Sequence, residues 1–145
     1  MLRGGPVQGA SHDVPGYRRV PMPLASQLLT ALVALLHVYF LVLEMFLWAT
    51  PFGRKTFGRT LEEQEATRTL AANQGLYNGF LAAGLVWSLI PGLAGDAMAF
   101  SLRLFFLGCV VVAGIHGAAT ASRKILFVQA LPGAAALLVT LLARG

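Results

Sequence analysis

Residues 24–48 read "LASQLLTALVALLHVYFLVLEMFLW". Wound as an α-helix at about 1.5 Å per residue, this run exceeds the roughly 30 Å of hydrocarbon in a bilayer. A secretory signal is the rival reading, because Arg18-Arg19 precedes it. Signal cores are only about 7–15 residues long and end at a small-residue cleavage site. Here the apolar run continues into Phe46, Leu47 and Trp48, so a spanning helix is expected. Within it stand two ionisable side chains, His37 and Glu44.

The whole chain agrees with that reading. Of 145 residues, 57% are hydrophobic and 12% charged, against about 25% charged in an average soluble domain. A soluble domain of this length could not hide so much apolar surface, and the mean hydropathy is +0.70. One membrane domain is expected. The net charge of +5 comes from short clusters beside apolar runs, Arg18-Arg19, Arg54-Lys55 and Arg123-Lys124. Such flanks face headgroups or cytoplasm; no basic patch interleaved with aromatics suggests nucleic acid. The single cysteine, Cys109, cannot form an internal disulfide and has no zinc or c-type haem spacing around it. It reads as a packing residue.

Working outward, residues 1–23 hold Pro6, Pro15, Pro21 and Pro23 among glycines and read as a disordered tail. Met22 is an alternative start. After the first span comes "ATPFGRKTFGRT", a breaker-rich basic loop. Thr60 precedes Glu63 by three, a capping-box pattern, so a helix is expected from about Leu61 to Ile90, stopping at Pro91-Gly92. Arg103 marks the edge of a third span, its head in the interface. Arg123-Lys124 ends that span, and "ILFVQALPGAAALLVTLLA" is a fourth, with Pro132 as a kink. The expected fold is all-α, a four-transmembrane-helix integral membrane bundle with spans over 24–48, 69–90, 103–121 and 125–143. Stripes of small residues, Ala71, Gly75, Gly79, Ala83 and Ala113, Gly117, Ala121, should pack helices closely.

Four spans put both termini on one side. Loops one and three carry Arg54, Lys55, Arg59, Arg68, Arg123 and Lys124; the other side carries Arg103, Arg144, Arg3, Arg18 and Arg19. The balance, wider if Met22 is the start, places loops one and three in the cytoplasm.

Depth then locates the polar interior. Measured from the loop-one and loop-three surface, Glu44 lies about 9 Å in, Asn73 and Gln74 about 6–8 Å, and Asn78 about 13 Å. His116 lies about 7 Å in, Gln129 about 6 Å and His37 about 19 Å. The opposite half offers mostly Ser26, Gln27, Thr30, Ser88 and Thr140. Polar groups facing lipid are costly, so the first set should turn inward to a pocket near the basic loops. Interhelical hydrogen-bond glue is the plainer alternative for the amides, and Glu44 could pair with Arg54, Arg123 or Lys124. Haem between His37 and His116 is disfavoured by a depth difference of about 12 Å. No serine or cysteine sits beside a histidine with an orienting carboxylate, and no phosphate loop is present. No metal or other cofactor is expected.

"HVYFLVLEMFLW", "LAANQGLYNGFLAAGL" and "SRKILFVQALPG" together resemble the Domain of Unknown Function 1304 family, small bacterial membrane proteins, over roughly residues 24–142. The resemblance implies a four-helix integral membrane protein of the bacterial inner membrane and no activity. Its matching positions are His37, Glu44, Asn73, Gln74, Tyr77, Asn78, Arg123, Lys124 and Gln129. Relatives often have a tyrosine at the place of His116, which weakens a role for that imidazole.

The leading functional expectation is a small-solute or proton-coupled transporter, homo-oligomeric because four short helices make a thin conduit. Glu44 would titrate, His37 would relay charge, and Asn73, Gln74, Asn78 and Gln129 would hold a polar solute. A membrane-embedded enzyme acting on a lipid-like substrate would use Glu44 and His37 as acid and base, although they stand about 10 Å apart along the axis. A non-catalytic membrane bundle is the third possibility.

Overall fold

The computed structural model describes residues 23–90 and 92–143. The expected disordered tail before Pro23, the helix stop at Pro91 and the basic Arg144 lie outside the described residues. All regular structure within them is helical: α1 (Leu24–Met45), α2 (Pro51–Phe57), α3 (Leu61–Trp87), α4 (Asp96–Thr120), then a π-helical turn (Leu126–Ala130) that runs into α5 (Leu131–Leu142).

The first helix stops at Met45 rather than Trp48, and the segment read as a loop contains α2. Thr50 Oγ1 accepts from the Gly53 N–H at 3.2 Å, Pro51 opens the helix, and Gly58 closes it at φ 66 in the left-handed region. The proline and glycine are therefore helix punctuation, one at the start and one just past the end. Trp48 lies against Phe57, ring centroids 4.5 Å apart. Its Nε1 donates to the Gln64 carbonyl at 2.9 Å, tying the α1–α2 connection to α3.

The capping box of α3 forms as its sequence specifies. Glu63 N–H donates to Thr60 Oγ1 at 3.2 Å, and the Thr60 N–H donates to Glu63 Oε2 at 2.8 Å. That backbone donor, followed by the Thr60 hydroxyl and nearby Arg59, holds the Glu63 carboxyl below the ordinary carboxylate range. α4 begins at Asp96, well before the expected edge at Arg103. In the last helix the Leu131 N–H reaches back five residues to the Leu126 carbonyl. The widened turn sits just before Pro132, whose ring would clash with an ordinary i−4 carbonyl.

α1 packs on α3 and α5, and α4 packs on the same two, so the four long helices close a ring in chain order. The α1–α3 contact is the most extensive. Buried positions on α3 run Ala71, Gly75, Asn78, Ala82, Leu85, alternating steps of four and three. A strict step of four drifts about 40° per turn, which is why Ala83 is exposed and Ala82 buried. The same drift exposes Ala113 on α4 and puts Gly114 against the Ala130 backbone, where a Cβ would stand 2.7 Å from the amide nitrogen; Ala121, just past the end of α4, is exposed as well. A central apolar layer joins Val33, Ala34, Leu85, Leu107, Val110 and Ala136.

Two helices, α1 and α4, are long and apolar enough to cross a membrane; the apolar run Leu126–Leu142 is shorter. Only 28% and 22% of the most apolar stretches of α1 and α4 are buried, so their greasy surface faces outward. Leu24, Leu28, Leu35, Phe105, Val112 and Leu142 are each more than half exposed.

Candidate functional site

Close helix approach builds the site. At Gly75 a Cβ would stand 2.6 Å from Met45 Cγ and 3.0 Å from the Leu41 carbonyl, and at Gly79 2.6 Å from Leu41 Cδ1. With no side chain at either place, α3 lies directly on the last turns of α1. Asn78, on the same face and 5% exposed, thereby reaches the half-buried Glu44. Its Nδ2 donates to Glu44 Oε2 at 2.7 Å. This bond spans 34 residues of sequence and meets a carboxylate inside a largely apolar interface. Glu44 makes no ion pair with Arg54, Arg123 or Lys124; the ion pair among the described residues is Arg68 with Glu65, at 3.2 Å on the surface.

His37 lies two turns deeper along α1 and is fully buried. Its Nδ1 is 2.8 Å from the Val33 carbonyl; a carbonyl can only accept, so Nδ1 carries the hydrogen. The other ring nitrogen, Nε2, is buried and without a partner. The ring stands edge-on to Phe40, centroids 5.7 Å apart. No hydrogen bond links His37 to Glu44.

The remaining expected residues lie elsewhere. Asn73, Gln74 and Tyr77 are exposed on α3. Gln129 is half-buried in the π-helical turn, His116 is exposed on α4, and Arg123 and Lys124 are exposed between α4 and α5. Of the polar set, the structure joins Glu44 to Asn78 and keeps His37 within the same bundle; it leaves the other amides on outer or partly covered surfaces. A shallow apolar groove of about 590 Å³ runs along the outside of α4, past Phe105, Cys109, Val112 and His116. It touches neither Glu44 nor Asn78. Among the described residues, no three His, Cys, Asp or Glu side chains gather as metal ligands would.

The chain belongs to the DUF1304 family. The model of these proteins of unknown function matches residues 31–141, which bears out the resemblance carried by the three motifs. The uncharacterized protein YpaA of Lactococcus lactis subsp. lactis (strain IL1403) is 31% identical over 110 residues, covering 74% of this chain and 89% of that protein. No solved structure matches the chain.

Sequence reasoning missed several polar groups. Arg103 was expected at the interface, yet it is 3% exposed. Its Nη2 donates to the Ser88 carbonyl at 2.9 Å and its Nε to Ser88 Oγ at 3.4 Å. The snorkelling rule describes an isolated helix; here α3 ends beside Arg103, and an unfilled terminal carbonyl draws the guanidinium inward. Ser26, Thr30, Ser88 and Thr140 are buried too, and Ser26 Oγ meets Thr140 Oγ1 at 2.7 Å. Gln64 is fully buried with both amide atoms unpartnered. The available signal was register: these residues continue the buried faces of their helices.

Proposed function

We propose that this DUF1304 protein is a four-span integral membrane protein that moves protons or a small polar solute, with Glu44 as the titrating group. The observation that carries the reading is the Glu44–Asn78 bond at 2.7 Å. An ionisable group kept inside an apolar helix interface, paired with an amide instead of a cation, is a functional position by default. An amide partner can serve both protonation states, accepting from the acid through its oxygen or donating to the carboxylate through its nitrogen.

The outward apolar faces of α1 and α4 support lipid as the surrounding solvent. The exposed basic residues near α2 and between α4 and α5 support a cytoplasmic orientation for that end, in the bacterial inner membrane. Arg54, Lys55, Phe52 and Phe57 on the short α2 suit a helix lying in the headgroup zone. Exposed Asn73, Gln74 and Tyr77 would face acyl chains in a single copy. A homo-oligomer that covers this face of α3 would give a solute a polar wall next to Glu44.

The separation of His37 and Glu44 weighs against paired acid–base catalysis on one atom. A structural reading remains specific, because the Asn78 bond is also what interhelical glue would make. Reconstituted liposomes separate the two. Proton flux that depends on pH in wild type and vanishes in Glu44→Gln supports transport. Flux unchanged in Glu44→Gln, with lowered thermal stability alone, would leave glue.

A further inference from the structure

α3 carries two stripes, and the chain itself covers one of them. Ala71, Gly75, Asn78, Ala82 and Leu85 are buried, with Gly75 set against Leu41 and Met45 of α1. The second stripe is Leu70, Asn73, Tyr77 and Phe80, which follow one another by three, four and three residues. Leu70 is 70% exposed, and Tyr77 and Phe80 are each 57% exposed. Asn73 and the flanking Gln74 are exposed as well. The stripe ends one turn later, where Phe106 of α4 lies on Gly84.

Among the described residues, neither the Asn73 nor the Gln74 amide has a hydrogen-bond partner. Counted from Thr69 at the bilayer surface, the two lie about 6–8 Å deep and Tyr77 about 12 Å. Headgroups stay at the surface and acyl chains offer no hydrogen bond, so lipid leaves these amides unsatisfied. α3 is 27 residues long, yet it is not one of the two helices apolar enough to cross a membrane alone. Residues 70–87 hold no charge; their strongly polar groups are amides. Steps of three and four make the seam of two helices crossing at about 20°. Three features select a second copy for that seam. Copies inserted alike are related by an axis along the membrane normal, so their α3 helices run parallel and each residue meets its own kind at its own depth. Asn and Gln each hold donors and an acceptor, so such pairs satisfy themselves. No exposed residue from 70 to 80 is charged, so the axis brings no like charges together. Arg68 lies beyond the seam, paired with Glu65 at 3.2 Å. An asparagine in an otherwise apolar seam also fixes register and copy number.

We propose that α3 pairs with α3 of a second copy along Leu70, Asn73, Tyr77 and Phe80, in a parallel two-fold dimer held by Asn73 and Gln74. The proposal rests on the four-span reading and supplies its partner. Gln74, one turn from Asn78 on the same helix, then belongs to the wall between the copies.

The test uses the full chain with Cys109→Ser and one new cysteine, oxidised in native membranes. Leu70→Cys and Tyr77→Cys should each give a disulfide-linked species of twice the chain's mass. Val112→Cys, 68% exposed on α4, should not. In phosphatidylcholine liposomes, energy transfer between labelled copies then reads association against the protein-to-lipid ratio. Asn73→Leu combined with Gln74→Leu should raise the ratio at half-association about tenfold. If that variant does not fold, Asn73→Leu alone carries the comparison, with a smaller rise. A monomeric wild type, a crosslink at Val112→Cys as strong as at Tyr77→Cys, an adduct of another mass, or association unmoved by the leucine variants would overturn the proposal. Release of the chain from membranes by alkaline carbonate would overturn the four-span reading and the dimer with it. A chain that stays in washed membranes without crosslinking overturns the dimer alone.

Discussion

The two ends of this bundle handle polar groups differently. Near α2, Gln64 is fully buried with both amide atoms unpartnered, while most other polar side chains lie on outer or partly covered surfaces. One cross-helix bond joins Glu44 to Asn78, while Asn73 and Gln74 are exposed. At the other end, hydroxyls and a guanidinium point fully inward and bond to carbonyls and to one another. The second end spends its polar groups on closing the bundle, leaving one arginine edge spare. The first keeps an ionisable group half-buried and partnered by a neutral amide, an arrangement that tolerates a change of charge.

The largest expected effect probes what makes the Glu44 end possible. Gly75→Leu forces a branched side chain into Met45 and the Leu41 carbonyl and should cost about 1–3 kcal/mol. Chemical unfolding in detergent would show it, and a short thiol-specific crosslink between Glu44→Cys and Asn78→Cys, made with Cys109→Ser, should be lost with it. A crosslink that survives would mean that glycine does not set the α1–α3 distance.

A smaller effect is expected at the opposite end. A double-mutant cycle on Ser26→Ala and Thr140→Ala should return a coupling of about 0.6 kcal/mol, read from unfolding free energies. Proton flux should be unaltered in both single variants, because this layer serves closure.

The smallest effect lies at the α3 capping box outside both regions. Glu63 is held below the ordinary carboxylate range in the fold. Its contribution is therefore present at neutral pH and is lost as pH falls through that lowered value. Glu63→Gln should therefore lower stability slightly at neutral pH, converge with wild type in acid, and flatten the acid limb of the stability–pH profile.

Much of this was legible in the chain because helix periodicity and capping are local. Thr60 and Glu63 announced the start of α3, and the buried pair of Glu44 and Asn78 stood at depths only a few ångströms apart. Direction was harder. Gln74 and Asn78 share a ridge at i and i+4, yet they point about 40° apart; that is enough to bury one against α1 and expose the other. Arg103 was misread because its partner is a carbonyl at the end of another helix, which no spacing within α4 reveals. α2 was hidden because Pro51 and Gly58 punctuate a helix as readily as they break one.

The most direct test of the account is proton flux into liposomes, followed against pH, for wild type, Glu44→Gln and Asn78→Ala. If the carboxyl and the amide act as one unit, Glu44→Gln abolishes flux and Asn78→Ala slows it and shifts its pH profile. Flux that persists without Glu44, or a pH profile that Asn78→Ala leaves unmoved, would contradict it.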